Sequence, residues 1–297
     1  MKRTLLATLA TCFALALSAQ QLYVGTYNIR NHNSDDDRQG DVWAKRCQVI
    51  ADQVNFESPD IFGTQEVLVD QLNDLDVRLD GYGHIGVGRD DGKQAGEYSA
   101  IFYKKDRLRL LHDGHFWLSQ TPDRPALGWD AVCIRICTWG EFEQIATGLK
   151  FFFFTLHTDH VGVEARRESM KLILERIKDM TGGEPVVVTG DFNVDQRDES
   201  YRLLATSGVL RDSYEVARLR FAENGTFNDF KTAAFTDSRI DHVFVSPHFA
   251  VDRYAILTNS YWTPLTGPQP DPTGLPQGTR RNPSDHYPVF VHLEVAR

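Results

Sequence analysis

Pro185-Val186-Val187-Val188-Thr189-Gly190-Asp191-Phe192-Asn193 decides how this chain is read. Three valines and a threonine after a proline form a short apolar run of the kind that is buried within a sheet. Gly190 allows a tight exit from that strand, so Asp191 and Asn193 can project from the turn toward a common centre. Strand ends in layered α/β folds are where ligands usually sit. Taken alone, Gly-Asp-Phe-Asn is also an ordinary turn, because Asp and Asn favour such positions. The decision therefore depends on whether other strands end in the same way.

They do. Leu22–Asn28 is strand-like and ends on Asn28. Asp60–Thr64 is a short strand ending at Gln65-Glu66. The run from Glu143 to Leu156, very apolar through Phe151–Phe154, leads into His157, Asp159 and His160. Arg239–Ser246 reads as the penultimate strand and carries Asp241, and Asp285-His286 opens the last, Tyr287–Val295. Ser99–Tyr103 and Cys133–Thr138 are further strand signals. Helical periodicity places Trp43, Cys47, Ile50, Ala51 and Val54 on one face, and Met170, Ile173, Leu174 and Ile177 on another. Strand and helix signals alternate, without repeats or low-complexity segments. The Pro/Gly-rich stretch from Thr263 to Pro283 reads as a loop.

The chain has 297 residues. Its start has the form of an export signal: Lys2 and Arg3, an apolar run from Leu5 to Leu17, then Ser18 and Ala19. Residues 1–20 are read as a signal peptide and 21–297 as one domain, exported to the periplasm or the medium. The apolar run is too short to span a bilayer, and no second one follows. Losing Lys2 and Arg3 lowers Lys+Arg from 32 to 30 against 41 Asp+Glu, so the net charge moves from −9 to −11. An acidic balance with no Lys/Arg run longer than two argues against strong nonspecific nucleic-acid binding, but not against a small phosphate ester. Cys47, Cys133 and Cys137 remain after Cys12 is removed. Three cannot all pair, and a spacing of four along a strand holds Cys133 and Cys137 about 13 Å apart, too far for a bridge. Nothing in the chain suggests a coiled coil, and a monomer is expected.

Six motifs, in order from residue 26 to residue 289, together resemble the signatures of the endonuclease/exonuclease/phosphatase superfamily, the group that includes DNase I. They are Thr26-Tyr27-Asn28-Ile29, Gln65-Glu66, His157-Thr158-Asp159-His160, Gly190-Asp191-Phe192-Asn193, Arg239 through Ser246, and Ser284-Asp285-His286-Tyr287-Pro288-Val289. The resemblance implies an α/β (α+β) fold: a four-layer α/β/β/α sandwich of two packed mixed sheets flanked by helices. It implies a metal-dependent phosphoester hydrolase, with Mg2+ or else Mn2+ or Ca2+ as cofactor. In that reading Glu66 is the principal metal carboxylate, with Asn28 beside it and Asp285 completing the site. Asp191 orients or deprotonates the attacking water, and Asn193 holds a non-bridging phosphate oxygen. His286 contacts the phosphate, oriented by Asp241, and His157 reaches the phosphate or the leaving group. Such parts meet the needs of phosphoryl transfer.

The chain departs from the pattern at Arg30, where the nuclease branch often has an acid, and at Thr155, where Asn is frequent. The segment from Gly128-Trp129-Asp130 to Arg135 resembles secreted bacterial and deadenylase-like members. Arg135 could grip a second phosphate or a sugar, or be a sheet-edge arginine; Trp129 could stack on a sugar or base, or pack under a loop. Three alternatives stand beside the phosphohydrolase of a small ester: an extracellular nuclease on the same fold, an inactive binding protein, and a zinc hydrolase using His157, Asp159 and His160.

Overall fold

A computed structural model describes residues 21–265 and 277–296. The signal-like residues 1–20 and the centre of the Thr263–Pro283 stretch lie outside the described residues. β1 (Gln21–Asn28) is followed by α1 (Ser34–Gln39) and α2 (Trp43–Glu57). Then come β2 (Ile61–Val67), α3 (Val69–Asp76), β3 (Tyr82–Ile85), β4 (Tyr98–Lys104) and β5 (Leu108–Trp117). The middle of the chain forms β6 (Ile136–Gln144), β7 (Lys150–His157), α4 (Val163–Thr181), β8 (Val186–Asp191), α5 (Glu199–Ala205), β9 (Arg211–Asp212) and α6 (Ser213–Val216). The last elements are β10 (Leu219–Phe221), β11 (Asp241–Val245), β12 (Phe249–Ile256), β13 (Tyr261–Pro264), β14 (Gly278–Arg281) and β15 (Val289–Val295).

A seven-stranded sheet runs β10-β12-β15-β1-β2-β4-β3, and a six-stranded one β5-β6-β7-β8-β11-β9. Both are mixed: β1 pairs parallel with β2 and antiparallel with β15, and β8 pairs parallel with β7 and antiparallel with β11. The Phe-rich strand shows why the sheets stack. Side chains alternate along a strand, so Phe151 and Phe153 point into a core shared with Val24 and Ile61 of the other sheet. Phe152 and Phe154 point the other way, onto Met170, Ile173 and Ile177 of α4. On the far side Tyr27, Phe62 and Phe102 meet Trp43, Cys47, Ile50 and Val54 of α2. The result is the expected helix–sheet–sheet–helix sandwich.

Some boundaries differ from expectation. Glu143–Leu156 is not one strand: a turn after Gln144 separates β6 from β7, which pair antiparallel. β6 begins at Ile136, so Cys133 precedes it. Asp241 is not on the penultimate strand, because β12, β13 and β14 follow β11. Part of the expected loop is a hairpin, β13 with β14. All three described cysteines are free.

Candidate active site

Parallel pairing of β1 with β2 and of β7 with β8 carries Asn28, Glu66, His157 and Asp191 to one end of the sandwich. Asn28 pairs with Gln65, and His157 with Asp191, across their ladders. At Glu66 β2 is interrupted by a bulge, and the residue takes a left-handed φ of 62°. A bulge re-aims a side chain out of the alternation, which here turns the Glu66 carboxylate toward Asn28. Gly190 has the role expected of it: a Cβ there would stand 2.2 Å from the Leu156 carbonyl oxygen. Beneath the site, Thr26 Oγ1 donates to Gln65 Oε1 at 3.2 Å and Gln65 Nε2 to Thr155 Oγ1 at 2.9 Å. Thr155 therefore ties the two sheets together just below His157.

The side chains converge on Asn28 and Asp191. Asn28 Nδ2 donates to Glu66 Oε1 at 3.0 Å and to Asp191 Oδ2 at 3.0 Å, and lies 3.4 Å from His286 Nε2. Asp191 Oδ2 is 3.5 Å from His157 Nε2 and 3.7 Å from His286 Nε2, while its Oδ1 accepts the Asn193 N–H at 2.8 Å. His286 Nδ1 meets Asp241 Oδ2 at 2.8 Å. Asn193 Nδ2 donates to the Thr158 carbonyl at 3.0 Å and sits 2.9 Å from His157 Nε2. The carbonyl fixes which end of the amide faces the ring, so His157 Nε2 is the acceptor and its proton is on Nδ1.

Electrostatics separates the two histidines. Burial opposes charge on His286, but Asp241, Asp191 and Asp285 outweigh it and hold the imidazolium well above its ordinary range. Burial and then the Arg135 and Arg89 guanidiniums drive His157 well below its own, so it is neutral. Burial pushes the Asp191 carboxyl up to about 7 against the pull of His286. Burial likewise raises Asp285 to about 6, opposed by His286 and reinforced by Glu66. Glu66 is the exception. Burial raises it, yet His286, Asn28 and Arg30 together hold it below the usual carboxylate range.

A cleft of about 860 Å3 opens over this cluster. Of the residues chosen from sequence, Glu66, Arg135, His157, Asp191, Asn193, Asp285 and His286 line it. Asn28 and Asp241 are buried directly behind. Trp129 is not among the lining residues; its backbone N–H donates to Gln120 Oε1 at 3.1 Å. The zinc set divides: His157 groups with Glu66 and Asp191, whereas His160 groups with Cys133 and Asp159. Asp159 is already taken up by the N–H groups of Val132, Cys133, Val161 and Gly162.

Arg30 read from sequence only as a departure from the pattern, and Arg46, Thr226 and Phe227 were not singled out. Arg30 is anchored to Asp36 at 2.8 Å and presents Nη1 at 3.6 Å from Asp285 and 3.9 Å from Glu66, a fixed cation between two carboxylates. Arg46, fully buried, donates to the Ile29 carbonyl at 2.8 Å and the Pro283 carbonyl at 3.1 Å, clamping the segments that carry Asn28 and Asp285. A charged residue on the apolar stripe of α2 was its one sequence signal. Thr226 Oγ1 accepts the Asp241 N–H at 3.0 Å, and the Phe227 ring stands edge-on to His286 at 5.1 Å.

Glu66, Asp191 and Asp285 bring three largely buried carboxylates to one cleft, two of them pushed toward neutrality. Oxygen donors under mutual repulsion suit a hard divalent cation, and the residues present fit one.

Two mixed sheets packed face to face, with carboxylates, amides and imidazoles gathered over the strand ends, define a class: hydrolases of phosphoester bonds. Residues 25–286 match the sequence profile of the Endonuclease/Exonuclease/phosphatase family, and the chain belongs to that family. Enzymes of this family generally use divalent metals. Similar solved structures include an endonuclease/exonuclease/phosphatase family protein from Bacteroides thetaiotaomicron, 49% identical, with a TM-score of 0.88 over 93% of this chain and 98% of that one. A mannosyl-6-phosphatase from Bacteroides thetaiotaomicron VPI-5482 is 50% identical, with a TM-score of 0.87 over 92% of this chain and 99% of that one. Among curated proteins, an uncharacterized protein of Acanthamoeba polyphaga mimivirus is 28% identical over 52% of this chain, a match that spans 60% of its own length.

Proposed function

We propose that this chain is an exported, Mg2+-dependent phosphomonoesterase that removes phosphate from a sugar phosphate such as a mannosyl 6-phosphate. One observation carries the reading: a carboxyl pushed up to about 7, Asp191, stands between a charged and a neutral histidine in an open cleft. A group that titrates near working pH is suited to accept a proton from water. The half-identical mannosyl-6-phosphatase supports the substrate class, and the acidic surface favours a small ester over a nucleic acid.

Glu66, Asn28 and Asp285 would hold the cation, which when bound neutralises phosphate charge and polarises the P–O bond. Asp191 orients the attacking water and takes its proton. His286, kept charged by Asp241, donates to a phosphate oxygen as negative charge develops there. Asn193 fixes His157, whose ring walls the opposite side. Arg30, already between Glu66 and Asp285, supplies a permanent positive charge in addition to the metal.

The test is phosphate release by the purified chain from mannose 6-phosphate and other sugar phosphates, beside phospholipids, inositol phosphates and single- and double-stranded DNA. Release from sugar monoesters that needs Mg2+ and stops in EDTA is expected. Cleavage of DNA without release of phosphate from any monoester would overturn the proposal.

A further inference from the structure

The bulge that aims Glu66 at the cleft has a counterpart on the neighbouring strand. β2 and β4 are antiparallel, and their register resumes after the bulge with Val67 opposite Tyr98. Glu97, the residue before β4, therefore enters beside Glu66, and both line the cleft. Gly96, at φ 80°, makes the turn that delivers it. Both carboxylates are largely buried, the Glu97 side chain 16% exposed and that of Glu66 12%. Asn31 stands between them. Its Nδ2 donates to Glu66 Oε2 and to Glu97 Oε1, each at 3.2 Å, and its backbone N–H also donates to Glu66 Oε2 at 3.2 Å. Its Oδ1 accepts from Asn33 Nδ2 at 3.0 Å, so the NH2 end faces the two carboxylates. Both amide hydrogens are committed, one to each carboxylate. Glu97 Oε2 accepts from Arg89 Nη1. A chain of contacts thus runs from the β3–β4 loop through Glu97 and Asn31 to Glu66, whose other oxygen is held by Asn28.

A glutamate side chain turns about several bonds, so its carboxylate is aimed by the groups that hydrogen-bond to it. Asn31 can aim Glu66 only if the amide is itself held, and here Asn33 holds one end and Glu97 the other. Resting on the reading of Glu66 as the principal carboxylate for the cation, we propose that Glu97 is a positioning residue: it holds the Asn31 amide, which sets the direction of the Glu66 carboxylate and with it the affinity for a divalent cation. The Glu97 oxygens are engaged by Asn31 and Arg89, and it acts without touching the cation. Outer partners that orient a metal-binding carboxylate typically change metal affinity or activity by about 10- to 100-fold.

The experiment measures Mn2+ binding by calorimetry on the purified protein, as wild type, Glu97→Ala, Glu97→Gln, Asn31→Ala and the Glu97→Ala/Asn31→Ala pair, with melting of the metal-free proteins as a check on the fold. Glu97→Ala should weaken binding by about 10-fold. Glu97→Gln, whose single amide oxygen can meet Asn31 or Arg89 but not both, should lose less, about threefold. Because Glu97 acts through Asn31, adding Glu97→Ala to Asn31→Ala should weaken binding by less than about twofold further. A plain effect of the Glu97 charge on the cation needs no intermediary. It would persist in full in the Asn31→Ala background and be as large in Glu97→Gln as in Glu97→Ala, and either result overturns the proposal. Unchanged affinity in Glu97→Ala overturns it too. If Glu97→Ala does not fold, the same cycle is run with Glu97→Gln: its loss should vanish in the Asn31→Ala background, and an equal loss in both backgrounds, or none in either, overturns the proposal. If the wild type binds no divalent cation, the metal reading of the proposed function fails and takes this inference with it. A wild type that binds Mn2+ and releases phosphate, with affinity that the Glu97 variants do not move, sinks the positioning role alone.

Discussion

His286 and His157 stand 3.7 and 3.5 Å from the same Asp191 oxygen, yet they are held in opposite charge states. His286 Nδ1 is backed by a buried carboxylate at 2.8 Å, and three aspartates keep the ring cationic against its burial. His157 has no carboxylate behind it; burial and two arginines keep it neutral. Ring identity and distance to Asp191 therefore do not fix a histidine's charge. The second neighbour does: Asp241 keeps one ring a charged donor, and Asn193 holds the other in place with its free N–H facing away from Asp191.

Glu66→Ala, which strips the candidate cation site of its main carboxylate, should reduce turnover on the order of 10³-fold or more. It should also weaken Mn2+ binding measured by calorimetry; full activity in excess EDTA contradicts the metal's role. His286→Ala should cost about 10²- to 10³-fold in kcat with the fold intact by circular dichroism. Combined with Asp191→Asn it should be barely worse than the worse single variant, since residues acting as a unit are not additive. Asp241→Asn leaves the ring in place but removes its counter-charge, so about 10- to 100-fold is expected, together with an alkaline limit at lower pH. His157→Gln should cost least, roughly 10-fold, because no charge is lost. If it equals His286→Ala, the asymmetry is wrong.

The pH profile carries a sign of its own. Asp191 accepts a proton only when ionised, so turnover should rise as pH passes upward through about 7, at a lower pH when cation is bound. His286 stays charged well above 6.5, which puts the alkaline fall higher still.

Much of this was legible in the sequence because chemistry and period agreed. The Phe151–Phe154 run had to alternate, and Asp191, Asn193 and His157 sit at strand ends where the ladder delivers them. Glu66 was legible as a residue but not as a geometry, since a left-handed φ on a glutamate has no local signal. Arg30 read as a departure from a pattern; only the fold reveals that it stands between Glu66 and Asp285. Arg46 and Thr226 act on backbone atoms far away in sequence, a dependence that composition and period do not encode. β12 was missed because Phe249–Ile256 mixes apolar residues with Asp252 and Arg253, whose β-bulge breaks the alternation.

Asp191→Asn is the most direct test, read at pH 8 for turnover on the Mg2+-loaded protein and for melting on the metal-free protein. The Asp191 carboxyl is raised from an ordinary 3.8 to about 7, so its ionisation costs folded-state stability as pH climbs through that range. Turnover should therefore collapse by about 10³-fold or more while the melting temperature stays level or rises. Unchanged turnover would show Asp191 to be a turn residue, since Asn serves a turn as well, and a loss of activity matched by a lower melting temperature would show that it supports the fold; either contradicts its role as proton acceptor.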